Sequence, residues 1–224
     1  MSIQIQAFAF NAFQENTFVV SDGQDAVIFD PGCYTRQEET ELFDYINTNG
    51  LKVKAILFTH AHIDHILGAS YCQQAFAAPA YLHPSDHATW TSVKSYAHVY
   101  GFENYKETGR EEFVKMKETE VPTHQLTDQQ ELQFGNLSFK VYHTPGHAPG
   151  HVVFYHKSGF VINGDVLFKG SFGRVDLPGG ELETLKKSIF EVMFKFPEQT
   201  VVYCGHGPAT TIGQEKQTNY ILEF

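Results

Sequence analysis

Residues 57–68 read LFTHAHIDHILG and place His60, His62, Asp64 and His65 within six positions. The stretch VKAILF (53–58) that leads into them is apolar and reads as a buried strand, so the cluster lies on the loop leaving its C-terminal end. Imidazole and carboxylate are the ligands that suit zinc, iron or manganese. In extended or tight-loop backbone, residues i and i+2 project the same way, so His60 and His62 can reach one ion. Asp64 continues that alternation, while His65 is adjacent and has to point elsewhere. Four such side chains do not easily wrap one tetrahedral ion. A pair of ions, one served by His60 and His62 and the other by Asp64 and His65, resolves the crowding.

The remaining ligands should come from other strand ends. HTPGHAPGH (143–151) puts His147 in a Pro/Gly-rich loop after the strand-like LSFKVYH. Asp165 follows Gly164 at the exit of FVIN, and His206 stands in CGHG straight after TVVYC. Glycine beside each position lets the backbone bend sharply, so that side chains can converge. His143 and His151 flank His147 and read as groups supporting the ligands. His83, His87, His98, His124 and His156 are isolated and read as ordinary surface or hydrogen-bonded residues.

The same rhythm extends along the chain. IQIQAFAF, NTFVVS and AVIFD read as consecutive antiparallel strands. Residues 36–49 read as a helix with Leu42, Phe43, Tyr45 and Ile46 among acids, closed by Gly50. Residues 66–77 suggest another helix and PAYLH a strand. In the second half LSFKVYHT, HVVFYH, GFVING and TVVYCG read as strands, 181–196 as a helix, and a short last helix follows Gly213. Residues 85–120 are rich in aromatics and charge, with helical segments around Gly101 and Gly109, and read as an insertion within a single domain spanning 1–224. Its Trp90, Tyr96, Tyr100, Phe102 and Tyr105 are candidates for the wall or lid of a substrate cleft; the competing reading packs them onto the core. Two β-rich halves with outer helices predict an α/β sandwich, two mixed sheets face to face with helices on both outer surfaces.

Composition narrows the function. The chain of 224 residues carries 16 basic and 26 acidic side chains, a net charge of −10, which disfavours nucleic acid and anionic membranes as partners. No apolar run is long enough to span a bilayer, and the N-terminus lacks the pattern of an export signal. Cys33, Cys72 and Cys204 form neither a disulfide framework nor a paired zinc motif, which points to a cytoplasmic protein.

THAHIDH (59–65), HTPGHAPGH, NGDVLF (163–168) and CGHG, in this order, resemble the metallo-β-lactamase superfamily over about residues 3 to 220. FDPG (29–32) and Asn16 are similar to that family's N-terminal elements. The resemblance implies an αββα sandwich with its site in the cleft between the sheets. It implies two divalent cations, zinc first, with iron or manganese as alternatives. His60, His62 and His147 would bind the first, Asp64, His65 and His206 the second, and Asp165 would bridge them. Asp30 would hold a ligand ring in orientation.

GDVLFKGSFGRVDLPGG (164–180) is similar to the short, single-domain branch called glyoxalase II-like, and the absence of a cysteine ligand looks unlike zinc β-lactamases of the main type. The implied activity is hydrolysis of thioesters such as S-2-hydroxyacylglutathione by a metal-bridging hydroxide, with Asp64 orienting the nucleophile and taking its proton. Arg174 falls where a basic residue grips glutathione's carboxylate, but Asp176 stands where an aromatic is usual. Only 18 residues (224 − 206) follow His206, too few for the helical domain with which full-length relatives hold glutathione. The competing functions are a mononuclear-iron persulfide dioxygenase, a lactonase or phosphodiesterase on the same scaffold, and a non-catalytic metal-binding module. The complete ligand set speaks against the last.

Overall fold

The computed structural model describes residues 2–102, 122 and 124–224. Strands buried on both faces lose polar alternation and read as apolar runs. The first sheet follows that rule. It has the order β1 (Gln4–Phe10), β2 (Glu15–Ser21), β3 (Asp25–Phe29), β4 (Lys52–Leu57), β5 (Ala80–Leu82) and β6 (His124–Gln125). The first three strands pair antiparallel, and β3 to β6 pair parallel. In β3 and β4, Val27, Phe29, Ala55 and Leu57 face the second sheet, while Ala26, Ile28 and Ile56 face helices.

The second sheet contains β7 (Glu131–Phe134), β8 (Leu137–His143), β9 (Val152–His156) and β10 (Phe160–Gly164), all antiparallel. A small hairpin follows, β11 (Leu167–Phe168) with β12 (Ser171–Phe172). β13 (Val201–Cys204) then joins β10 in parallel, and β14 (Thr210–Thr211) closes the edge.

Helices α1 (Arg36–Thr48), α2 (Ile63–Ile66), α3 (Ala69–Phe76) and α4 (His87–Tyr96) come from the first half. Leu42, Ile46, Cys72, Trp90 and Val93 pack α1, α3 and α4 onto the first sheet. α5 (Leu182–Lys187) and α6 (Ile212–Thr218) cover the second through Leu185 and Ile212. The layers are therefore α, β, β, α, as the sequence predicts. No helix among the described residues is long and apolar enough to cross a membrane.

Local departures have local causes. The helix expected over 66–77 is split into α2 and α3 at Gly68, whose N–H donates to Pro31 O at 2.8 Å. A Cβ there would collide with Cys33 Sγ, so the chain needs glycine where it passes this loop. The helix expected over 181–196 continues beyond α5 as a π turn (Ser188–Val192) and a 3-10 turn (Met193–Lys195). The last helix begins at Ile212, before Gly213, capped by the Thr211 side chain. Of the 85–120 insertion, α4 and a 3-10 turn at Ala97–Tyr100 are described; Gly109 and Tyr105 lie outside the described residues. Trp90 is 3% exposed and meets Phe58 edge-on at 5.0 Å, so it is core rather than lid. Tyr100, 39% exposed, is not.

The inter-sheet core centres on Phe29, whose ring stands 5.2 Å from both Phe139 and Phe154 in edge-on geometry. Phe154→Ala should lower the unfolding free energy by about 3–5 kcal/mol in a urea titration. A loss below about 1 kcal/mol would mean that the sheets do not close on this ring.

Candidate metal centre

Because β8 opposes β9 and β9 opposes β10, strands β8, β10 and β13 share one direction, and their C-terminal ends release His147, Asp165 and His206 at one edge. β4 releases His60 and His62 there from the other sheet. The seams are backbone bonds: Val152 N to Thr59 O at 2.8 Å and Asn16 N to Gly205 O at 2.7 Å. Asn16 Nδ2 also donates to Cys204 O and Gly207 O, holding the His206 loop against the first sheet.

The alternation expected for the quoted stretch stops at His62. The chain turns into α2 with His62 as its extended N-cap residue, so Asp64 and His65 project from a helical turn. Contrary to the expectation that adjacent side chains diverge, Asp64 Oδ2 and His65 Nε2 lie 3.7 Å apart on one side. Two groups of donors result, each with ligand atoms within 4.8 Å of one another: His60, His62 and His147, and Asp64, His65 and His206. Asp165 stands between them, with Oδ2 3.5 Å from His147 Nε2 and from His206 Nε2, and Oδ1 3.5 Å from His65 Nε2.

Four of the five rings are oriented from behind through Nδ1. Thr59 Oγ1 donates to Asp30 Oδ2 at 2.6 Å and is left to accept from His60 Nδ1 at 3.0 Å. His65 Nδ1 meets Asp30 Oδ2 at 3.1 Å, His147 Nδ1 meets Arg174 O at 2.7 Å, and His206 Nδ1 meets Phe13 O at 3.0 Å. Fixing the proton on Nδ1 leaves each Nε2 lone pair aimed inward. His62 is the exception, presenting Nδ1 to His147 Nε2 at 2.8 Å.

Asp30 also makes up a third donor group with His60 and His65, but its oxygens already accept from Thr59 N, Thr59 Oγ1 and His65 Nδ1. Its place is behind the ring of His65. Arg174 contributes its carbonyl; its guanidinium turns outward to Asp176.

This donor set fits a divalent cation. His60 Nε2 is buried without a hydrogen-bond partner among the described residues, a cost of about 1–3 kcal/mol that a cation would offset, while His65 Nε2 and Asp165 Oδ1 face each other at 3.5 Å, too far for a good hydrogen bond. The electrostatics agree. Burial pushes His60, His62 and His147 down, His62 to about 3, so these rings are neutral. Burial also opposes charge on His65 and His206, but Asp165 and Asp64 outweigh it, lifting His206 to about 9. Without a bound cation the two carboxylates thus favour a second proton on His65 and His206, and a divalent cation would replace that proton at each Nε2.

Several further residues support the ligands, one of them expected from the sequence. His151, singled out only as a neighbour of His147, accepts from Asp165 N at 3.1 Å and stacks on His60. Asn11 Nδ2 donates to Gly32 O and Asp64 O, both at 3.0 Å. Glu15 is fully buried, with Oε1 3.8 Å from His65 Nδ1. Gly205 is required because a Cβ would strike Asp165 Oδ1. No thiol competes as a nucleophile. Burial pushes Cys204 up to about 12, and Cys33, beside Cys72 and buried, is raised well above the ordinary range.

The chain belongs to the metallo-beta-lactamase superfamily, whose family model matches residues 10–206. It is similar to hydroxyacylglutathione hydrolase GloC of Haemophilus influenzae, 32% identical across 98% of each chain. Its fold matches BLEG-1 B3 metallo-beta-lactamase with a TM-score of 0.84 and 35% identity, over 99% of this chain and 100% of the other. It matches TTHA1623 in a di-iron-bound form with a TM-score of 0.80 and 34% identity, over 96% and 98%. Fold and family make the chain a metal-dependent hydrolase.

Asp86 ties the two histidine loops together, accepting from Ala61 N at 2.9 Å and Gly150 N at 2.6 Å. Burial lifts its carboxyl to about 6, against those bonds. A raised carboxyl binds its proton more tightly folded than unfolded. The stability it adds is whole below about pH 4 and lost as pH rises through about 6. Asp86→Asn mimics the protonated form. Its unfolding free energy relative to wild type should rise by about 3 kcal/mol between about pH 4 and pH 7, in urea titrations of metal-free protein. A difference that stays flat with pH would show that the buried carboxyl does not titrate there.

Proposed function

We propose that this chain is a two-metal thioesterase of the glyoxalase II-like kind. The observation that carries the reading is the convergence of three neutral imidazoles, two carboxylates and two further imidazoles, with unpartnered buried atoms on both sides of Asp165. His60, His62 and His147 would hold one cation, and Asp64, His65 and His206 the other, with Asp165 between. When bound, the cations supply Lewis acidity toward a carbonyl oxygen and water of lowered pKa.

The residues do the rest. Burial raises the Asp64 carboxyl, but His65 and His206 outweigh it and keep Asp64 ionised, ready to accept the proton of the attacking water. Asp30, Thr59, Phe13 and Arg174 hold the rings in register from behind. A thiolate departs without needing a proton, whereas an amide nitrogen needs one. That asymmetry favours thioesters over β-lactams. The name of the GloC relative points to the same chemistry.

Purified protein should carry about two divalent ions per chain by elemental analysis and hydrolyse S-lactoylglutathione or a related thioester. Activity should vanish with chelator and return with metal, while a β-lactam run in parallel stays intact. Asp64→Asn should lower kcat by about 10²–10⁴-fold at unchanged circular dichroism. One iron per chain, with oxygen uptake on a persulfide, would replace this assignment with a dioxygenase.

A further inference from the structure

The rim of the centre is built on the anchors of its outermost rings. Phe13 O holds His206, and Arg174 O holds His147, so both residues are fixed relative to the site by the bonds that orient it. The ring of Tyr100 meets that of Phe13 edge-on at 6.0 Å.

Phe13 and Tyr100 are 42% and 39% exposed, large apolar surfaces beside a polar centre. They are not adrift. Phe102, 2% exposed, supports Phe13 at 5.6 Å and packs on Tyr34 at 4.9 Å. Phe168 meets His206 edge-on, with 6.1 Å between ring centres.

The basic group of this arc is already engaged. Arg174 Nε and Nη2 donate to the two oxygens of Asp176, each at 2.7 Å. A guanidinium fork used in this way is the same fork that a ligand carboxylate would need. Asp176 also adds negative charge to a chain of net charge −10.

We infer that the rim selects the thiol half of a thioester by apolar contact instead of a carboxylate grip: Phe13 and Tyr100 take an aromatic or alkyl group, and Arg174, paired with Asp176, holds no substrate carboxylate. The inference rests on the thioesterase reading and names its substrate class, thioesters of uncharged apolar thiols. Glutathione brings two carboxylates to a rim whose arginine among the described residues, Arg174, is already paired with Asp176. An exposed ion pair is weak by itself.

Two thioesters with one acyl group test this, S-lactoylglutathione and the S-lactoyl thioester of benzyl mercaptan. On metal-loaded protein, kcat/KM should favour the benzyl thioester by about tenfold or more, the worth of burying part of a phenyl ring. Phe13→Ala keeps the carbonyl that holds His206 and should raise KM for the benzyl thioester about tenfold. Asp176→Asn should shift the preference toward the glutathionyl thioester by about three- to tenfold. Calorimetry with the non-hydrolysable thioethers benzyl methyl sulfide and S-methylglutathione should give the same order without turnover.

A wild type that prefers S-lactoylglutathione and loses about tenfold or more on it in Arg174→Ala overturns the inference. Should neither thioester be turned over, the thioesterase reading fails and calorimetry alone decides the rim. Benzyl methyl sulfide binding that Phe13→Ala weakens upholds it. No binding of that thioether overturns it.

Discussion

The structure depends on the three bonds received by Asp30. Its carboxylate accepts from Thr59 N, Thr59 Oγ1 and His65 Nδ1, and through the same hydroxyl it sets the ring of His60. Asp30 is held with φ at 45°, in the left-handed region, which costs a non-glycine residue about 1–2 kcal/mol. A backbone so placed persists only where its surroundings over-determine it. Here they do, because Thr17 Oγ1 donates to Asp30 O while accepting from Gly32 N. One buried carboxylate thereby couples the exit of β3 to the exit of β4, and fixes two imidazoles before any ligand arrives.

From that fixed pair the chemistry follows by charge. Imidazoles crowded in a buried place are disfavoured as cations, and His60, His62 and His147 are neutral donors for that reason. Across Asp165 the balance reverses, because Asp64 and Asp165 face His65 and His206. The site therefore joins a neutral nitrogen-rich side to a carboxylate-bearing side. That division suits a reaction in which a carbonyl is polarised and water is deprotonated in the same place. It also explains the lack of a need for a protein nucleophile, since the three cysteines are buried thiols.

The two sheets meet at the centre through backbone rather than side chains. Val152 N to Thr59 O and Asn16 N to Gly205 O stitch the loops across the sheets, and Asp165 Oδ1 leaves no room for a Cβ at Gly205. Packing of Phe29 against Phe139 and Phe154 brings the sheets together, and these bonds set their register. Asp86 adds a tie between the His60–His62 loop and the His147 loop, from a short 3-10 turn that itself carries no ligand.

What the sequence determined by itself was the local chemistry and the layers. Buried strands announce themselves as apolar runs, and His60, His62, Asp64 and His65 are near neighbours in the chain, so strand assignments and the first donor cluster are readable without coordinates. His147, Asp165 and His206 could be nominated because each follows a strand beside glycine. Two-residue strands such as β6 and β14 carry no periodicity and were invisible. Tertiary structure alone decided that the helix expected over 66–77 breaks at Gly68, since Pro31 O and Cys33 pack where Gly68 passes. It alone decided which atom of each ring faces inward, because the oxygens that hold Nδ1 come from Thr59, Asp30, Phe13 and Arg174, up to 193 residues away along the chain. Orientation of a side chain is set by partners brought near through folding, and spacing along a chain does not encode them.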